Sequence, residues 1–238
     1  MAKVVDKKPN GMSKRSWENA KMKPAGALDA PAAVAMLKKF KGTKFDQSVE
    51  VCMTLSIDAK QADQNIRGSV ALPKGIGKSK RVVAFCSPDA ARAALEAGAV
   101  KAGGEELIEE VEKGWMDFDV AVASPDMMRS VSRLGRVLGP KGLMPSPKAG
   151  TVTPNVAQAV TEYSAGKVEY RNDKSGNVQA AIGKMSFPEG DLVENLQHFI
   201  HTIERSRPGS AKGKFVKKIT ISGSMTPGVE VKHEQAEA

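Results

Sequence analysis

The sequence predicts an α/β protein in which two flanking segments fold together around an inserted domain. Three observations predict it. In the flanks, apolar residues fall on every second position, the pattern of strands buried on one face. Between about residues 76 and 165, short apolar runs alternate with helical patterns, as parallel β–α–β packing requires. Charge divides along the same lines: residues 1–75 hold 14 basic and 7 acidic side chains, 76–165 hold 11 of each, and 166–238 hold 11 and 9. The domains are therefore placed at 1–75 together with 166–238, forming a discontinuous two-layer α/β sandwich, and at 76–165, the insert.

Taken in order, residues 1–28 are polar, open with a Lys-rich stretch and show no helical or strand period, so they are read as a mobile arm. Asp29 can cap a helix with Pro31 in its first turn, running to about Phe40 and stopping before Gly42. Val49, Val51, Met53, Leu55 and Ile57 alternate with Glu50, Cys52, Thr54 and Ser56, a half-buried strand with which Ile66–Leu72 is expected to pair. In the insert, the strands Arg81–Cys86 and Asp119–Ala123 are followed by Ser87-Pro88-Asp89 and Ser124-Pro125-Asp126. Each of these tripeptides offers a cap, a first-turn proline and a carboxylate for the helix dipole, and Thr153-Pro154 opens a third helix in the same way. After 166, Val168/Tyr170 and Val178/Ala180/Ile182 flank the turn-like Asn172–Gly176, a predicted hairpin. Leu192, Leu196, Phe199, Ile200 and Ile203 form one helical stripe, and Phe215, Ile219 and Ile221 mark a last strand.

A net charge of +9 and a pI near 9.5 favour polyanionic partners, and the excess falls in the flanks. Within the insert, Arg129, Arg133, Arg136, Lys141 and Lys148 form a local basic patch. No run reaches the roughly 20 apolar residues of a membrane span, and the basic start lacks a following apolar block, so a cytosolic protein with no membrane partner is expected. Cys52 and Cys86, without a CxxC, read as reduced sheet or core residues.

Catalysis finds no home in the sequence. Gly77-Lys78-Ser79 resembles the end of a phosphate loop, but Leu72 stands where the loop needs glycine, and the segment precedes a strand instead of opening a helix. The Gly- and Pro-rich 139–150 is a basic irregular loop, and no GxGxxG follows either strand of the insert. His198 and His201 lack further ligands, so no metal or other cofactor is expected, and no serine or cysteine has a nucleophile context. The acid-free run Arg205, Arg207, Lys212, Lys214, Lys217, Lys218 reads as a phosphate-contacting rim. Two other readings stay open at this point: a nucleotide-binding enzyme, resting on the insert alone, and a non-ribosomal RNA-binding module.

From Lys44 to Gly228 the chain closely resembles the bacterial form of the ribosomal protein L-one family. The resemblance is carried by Lys44-Phe45, Leu55–Asp58, Asp63–Gly68, Phe118-Asp119, Ala123–Asp126, Leu138–Pro145, Pro147-Lys148, Gly150–Asn155, Tyr170–Lys174, Ile182–Lys184 and Ala211–Gly213. It implies that the insert is a Rossmann-like three-layer α/β domain joined by a hinge. It also implies a structural, non-enzymatic constituent of the large ribosomal subunit, ribosome-bound in the cytoplasm and monomeric when free. Such a protein binds large-subunit ribosomal RNA to form the mobile stalk near the tRNA exit site, assists release of deacylated exit-site tRNA, and represses its own operon by binding the mRNA. The family's RNA surface maps onto Lys44, Phe45, Ser48 and Glu50, onto Arg171, Asn172, Asp173 and Lys174, and onto Ser224, Met225 and Thr226. At the last of these the family usually has glycine, in a Thr-Met-Gly run.

Overall fold

The computed structural model describes residues 11–61, 63–211 and 213–233. In chain order the elements are α1 (Lys14–Met22), α2 (Ala30–Lys39), β1 (Ser48–Leu55), β2 (Arg67–Val70), β3 (Val82–Phe85), α3 (Pro88–Glu96), β4 (Lys101–Gly103) and α4 (Glu105–Glu112). There follow β5 (Val120–Ala123), α5 (Met128–Val131), α6 (Gly135–Leu138), α7 (Val156–Ser164), β6 (Val168–Arg171), β7 (Asn177–Lys184), α8 (Glu189–Arg205), β8 (Val216–Gly223) and β9 (Val229–Val231). Among the described residues, unit 1 holds 11–66, 72–77 and 171–233, and unit 2 holds 67–71 and 78–170.

Unit 1 is built on the antiparallel sheet β7-β1-β8-β9. Alternation along β1 sends Val49, Val51, Met53 and Leu55 to one face, where all four are buried. Their partners in register, such as Ala180 and Ile221 opposite Val51, point the same way. Two helices seal that face: α2 through Val34 and Leu37, and α8 through the stripe Leu192, Leu196, Phe199, Ile200 and Ile203. Buried Asn195 on α8 ties in the 72–77 segment: its side-chain amide donates to the carbonyls of Gly75 (3.0 Å) and Ile182 (2.8 Å), and its oxygen accepts from Lys74 N–H (3.1 Å). Every polar atom of that side chain is used, which is what permits an amide in this core.

Unit 2 carries the parallel sheet β4-β3-β5 with helices on both faces. All residues of β3 and β5 are buried, which explains continuous apolar runs where β1 alternates. Val82, Ala84, Val120 and Val122 pack on one side with Ala94 of α3 and Val160 of α7. Val83, Phe85 and Ala121 pack on the other with Leu107 and Val111 of α4 and with Leu134 and Leu138. The unit is therefore a three-layer α/β sandwich.

Several expectations change. Ile66–Leu72 does not pair with β1; its strand β2 pairs with β6, and Gly68 lets them approach, since a Cβ there would lie 2.6 Å from the Tyr170 hydroxyl. The predicted hairpin keeps its turn, with a bridge between Asn172 and Val178, but β6 pairs with β2 and β7 with β1. The 67–71 and 166–170 segments consequently lie with the insert. Of the 1–28 arm, 1–10 fall outside the described residues, while 14–22 form α1, capped by Ser13 accepting from Ser16 N–H. Strand β9 follows the expected last strand and pairs with β8. Ser124-Pro125-Asp126 forms a turn closed by Met127 N–H on the Ser124 carbonyl, so the next helix starts at Met128. The cap of α7 is Asn155, accepting from Gln158 N–H, and not Thr153.

Candidate nucleic-acid interface

With α2 and α8 on one face, the sheet of unit 1 presents a polar opposite face. Glu50 stands across from Ser222 and Ala181, Cys52 across from Thr220 and Gln179, and Thr54 across from Lys218 and Asn177. Burial and the nearby Asp173 carboxylate raise the pKa of the Cys52 thiol, which keeps it neutral.

One end of this sheet is shaped by the 43–48 segment and the turn after β8. Thr43 Oγ1 donates to the Phe45 carbonyl (2.9 Å), and the Asp46 carboxylate accepts from Ser186 N–H (3.1 Å) and Oγ (2.8 Å). Gln47 is almost fully buried; its backbone carbonyl accepts from Met185 N–H (2.9 Å), and its side-chain oxygen accepts from Met225 N–H (2.8 Å). Ser224 N–H donates to the Ser48 carbonyl (3.1 Å), and Lys184 Nζ donates to Ser48 Oγ (2.9 Å). Thr226 Oγ1 accepts from Gly223 N–H (2.8 Å) and so closes the turn that carries Met225. With the backbone held in this way, Phe45 is left 54% exposed and Met225 55%. Two large apolar side chains standing out beside Ser48 and Ser224 are unfavourable in water alone, and they make a surface for flat, partly apolar contact.

Of the eleven residues the sequence marks, this end unites Lys44, Phe45, Ser48, Glu50, Ser224, Met225 and Thr226. The turn Arg171–Lys174 lies at the other end of β1, where Leu55 N–H donates to the Gly176 carbonyl (3.0 Å). Seven residue steps along β1 separate the two groups, roughly 23 Å at about 3.3 Å per step. Asn172 and Asp173 are engaged in folding that turn. The Asn172 side-chain oxygen accepts from Ile66 N–H (2.8 Å), and Asp173 Oδ1 accepts from the N–H groups of Ser175 and Asn177 (2.8 Å each). These bonds, Asn177 N–H foremost, hold the Asp173 carboxyl below its usual range. Arg171 and Lys174 remain exposed.

Gln47, Asp46 and Lys184 support the site without having been singled out. A signal for Gln47 exists, since it continues the odd-numbered, inward-facing register of Val49 and Val51 and is therefore a polar residue at a core-facing position.

The fold and this site define a class: a two-unit α/β protein with one covered parallel sheet and one antiparallel sheet left open, bearing polar strands and apolar tips at its rim. Residues 37–227 match the family model described as "Ribosomal protein L1p/L10e family". The chain is 47% identical over 220 residues to the large ribosomal subunit protein uL1 of Protochlamydia amoebophila (strain UWE25), covering 92% of this chain and 93% of that one. It is 52% identical over 205 residues to the protein of the same name from Nocardioides sp. (strain ATCC BAA-499 / JS614), covering 86% and 85%. The chain belongs to the ribosomal protein L1p/L10e family, whose members are structural proteins and not enzymes.

Proposed function

We propose that this protein is a constituent of the large ribosomal subunit that binds its ribosomal RNA through the open end of the unit 1 sheet, forming the mobile stalk beside the tRNA exit site. It works in the cytoplasm, on the ribosome. One observation carries the reading: Phe45 and Met225 are both more than half exposed, on backbone held by buried Gln47, next to the hydroxyls of Ser48 and Ser224. Helical RNA is recognised largely by shape and by its 2′-hydroxyls, which hydroxyl groups, a carboxylate such as Glu50 and flat apolar contacts suit. Exposed Lys44, Arg171 and Lys174 supply attraction to phosphates. The resemblance extends the proposal to binding the mRNA of its own operon on the same surface and to assisting release of exit-site tRNA. For the tRNA, exposed Arg129, Arg133 and Arg136 at helical spacing in unit 2 offer a cationic face.

The test is affinity for a stalk fragment of large-subunit ribosomal RNA against an unrelated hairpin, across a salt series. The wild-type protein should prefer the stalk fragment. Met225→Ala and Phe45→Ala, shown folded by circular dichroism, should weaken that fragment by roughly tenfold and the hairpin little, with the salt slope unchanged because no charge is lost. Equal weakening of both RNAs by Met225→Ala would end the assignment of recognition to this rim.

A further inference from the structure

At the end of the unit 1 sheet remote from Phe45 and Met225, where β8 begins and β9 ends, the chain forms a concavity of about 250 Å³. Its floor is apolar, made of Val216, Ile219 and Val231. Its walls carry the cations Lys214, Lys217, Lys218 and Lys232, with Glu230 the one acid of the lining among the described residues; His233 also lines it, its Nε2 2.9 Å from the Glu204 carboxylate. Lys218 is neutralised by Glu230 at 2.8 Å, and Lys232 lies 3.6 Å from Asp29. Lys214 and Lys217 are exposed and have no ion-pair partner among the described residues. Lys214 is held in place, since the Arg207 guanidinium donates to the carbonyls of Ala211 (3.1 Å) and Gly213 (3.2 Å), fixing the turn that delivers it.

Gathering these lysines opposes folding by mutual repulsion, a cost an anion would relieve. A concavity in unit 2 offers a contrast, because there Lys80 and Lys141 face Asp119 and Glu169 and the charges balance. The cationic concavity falls just below the roughly 300–1,000 Å³ of sites that enclose whole small ligands, and it suits a phosphate with part of its sugar. Lysines act on phosphate as point charges without reading bases.

We infer that this pocket is a second RNA contact, seating a backbone phosphate of the same RNA whose recognised segment lies on the Phe45–Met225 rim. The inference rests on the RNA-binding reading above. Because the two ends of the sheet are roughly 23 Å apart, the phosphate belongs to a segment of the RNA beyond the core recognised at the rim, at the end where Arg171 and Lys174 also stand.

The experiment uses the full chain and the stalk RNA fragment over a salt series. The double variant Lys214→Ala/Lys217→Ala, at exposed positions, should bind about three- to tenfold more weakly at 0.1 M salt, and its plot of log affinity against log salt should be flatter by about 0.7–0.9, the loss of one phosphate. Lys214→Arg/Lys217→Arg should retain the wild-type slope. A shortened RNA that keeps only the recognised core should bind the wild type and the alanine variant alike. If the alanine variant keeps affinity and slope on the full fragment, or if the arginine pair loses as much as the alanine pair, the pocket is not a phosphate site, while the RNA-binding reading stands. If the wild type fails to prefer the stalk fragment over an unrelated hairpin, that reading itself fails and the pocket goes with it.

Discussion

Of the three sheets among the described residues, the four-stranded antiparallel one of unit 1 and the three-stranded parallel one of unit 2 are opposite in design. In unit 2, every residue of β3 and β5 is buried beneath helices on both faces, whereas in unit 1 the sheet is sealed on one face by α2 and α8 and presents polar side chains on the other. Charge follows the same division. Counted over the whole sequence, the segments of unit 1 carry 23 basic and 15 acidic side chains and those of unit 2 carry 13 and 12. A sheet covered twice spends its side chains on stability. A sheet covered once keeps half of them free, and here that half ends in two exposed apolar tips at one rim and a cluster of lysines at the other.

The comparison predicts that damage to the core of unit 2 leaves the proposed RNA surface of unit 1 intact. Phe85 is fully buried among Leu107, Val111 and Leu134, so Phe85→Ala should destabilise unit 2 by about 3–5 kcal/mol through lost burial and a residual cavity. Urea denaturation in a Trp17→Phe background, followed by the emission of Trp115 in unit 2, should report the loss, while affinity for the stalk RNA fragment in the absence of urea changes less than about twofold. A fall in affinity matching the fall in stability would show that the two sheets do not divide the work.

A second prediction separates the units by pH. Tyr163 is fully buried in unit 2 and donates its hydroxyl to the Ala149 carbonyl (2.8 Å), and burial pushes its pKa up to about 12. The fold favours the neutral phenol, so its contribution is fully present below the unfolded value near 10 and is lost as pH rises from there toward 12. Over that window unit 2 should lose on the order of 2–3 kcal/mol relative to Tyr163→Phe. At neutral pH the same substitution should cost about 1 kcal/mol for the missing hydrogen bond. Parallel alkaline denaturation curves for the two proteins would contradict the account.

Much of this architecture was legible in the sequence, for reasons visible in particular residues. The alternation from Val49 to Leu55, the α8 stripe and the runs in β3 and β5 are set by burial, which periodicity reports directly. Strand β4 is the three residues Lys101-Ala102-Gly103, too short and too mixed for any period, and β9 is as short. The β2–β6 pairing joins segments about a hundred residues apart, and a local hairpin signal at 172–176 competes with it. In α1 the pattern is weak because Asn19, not an apolar residue, is the one fully buried, bonded to both Lys41 N–H and its carbonyl. At the candidate interface, no local pattern marks Phe45 or Met225; only family resemblance points to them, and both stand exposed. The same resemblance groups the 171–174 turn with them, and only the register of β1 and β7 shows that the turn stands at the far end of the sheet.

The smallest effect is expected at Thr226, where the family usually has glycine. The backbone there has no positive φ, so glycine is not required by conformation. Its hydroxyl accepts from Gly223 N–H, which makes it part of the turn that presents Met225. Thr226→Gly removes that bond and loosens the unfolded chain further, so stability should fall by about 1–2 kcal/mol in thermal or urea denaturation. The rim has two other supports, Met225 N–H on the Gln47 side chain and Ser224 N–H on the Ser48 carbonyl, and neither depends on Thr226. Stalk RNA affinity should therefore stay within about threefold, less than 1 kcal/mol. If affinity rises tenfold or more, the threonine obstructs an approach of the RNA backbone that glycine allows, and the turn acts by clearance. If it falls tenfold, the order of the turn matters more than Gln47, and support of the rim would have to be reassigned from the buried amide to the threonine hydroxyl.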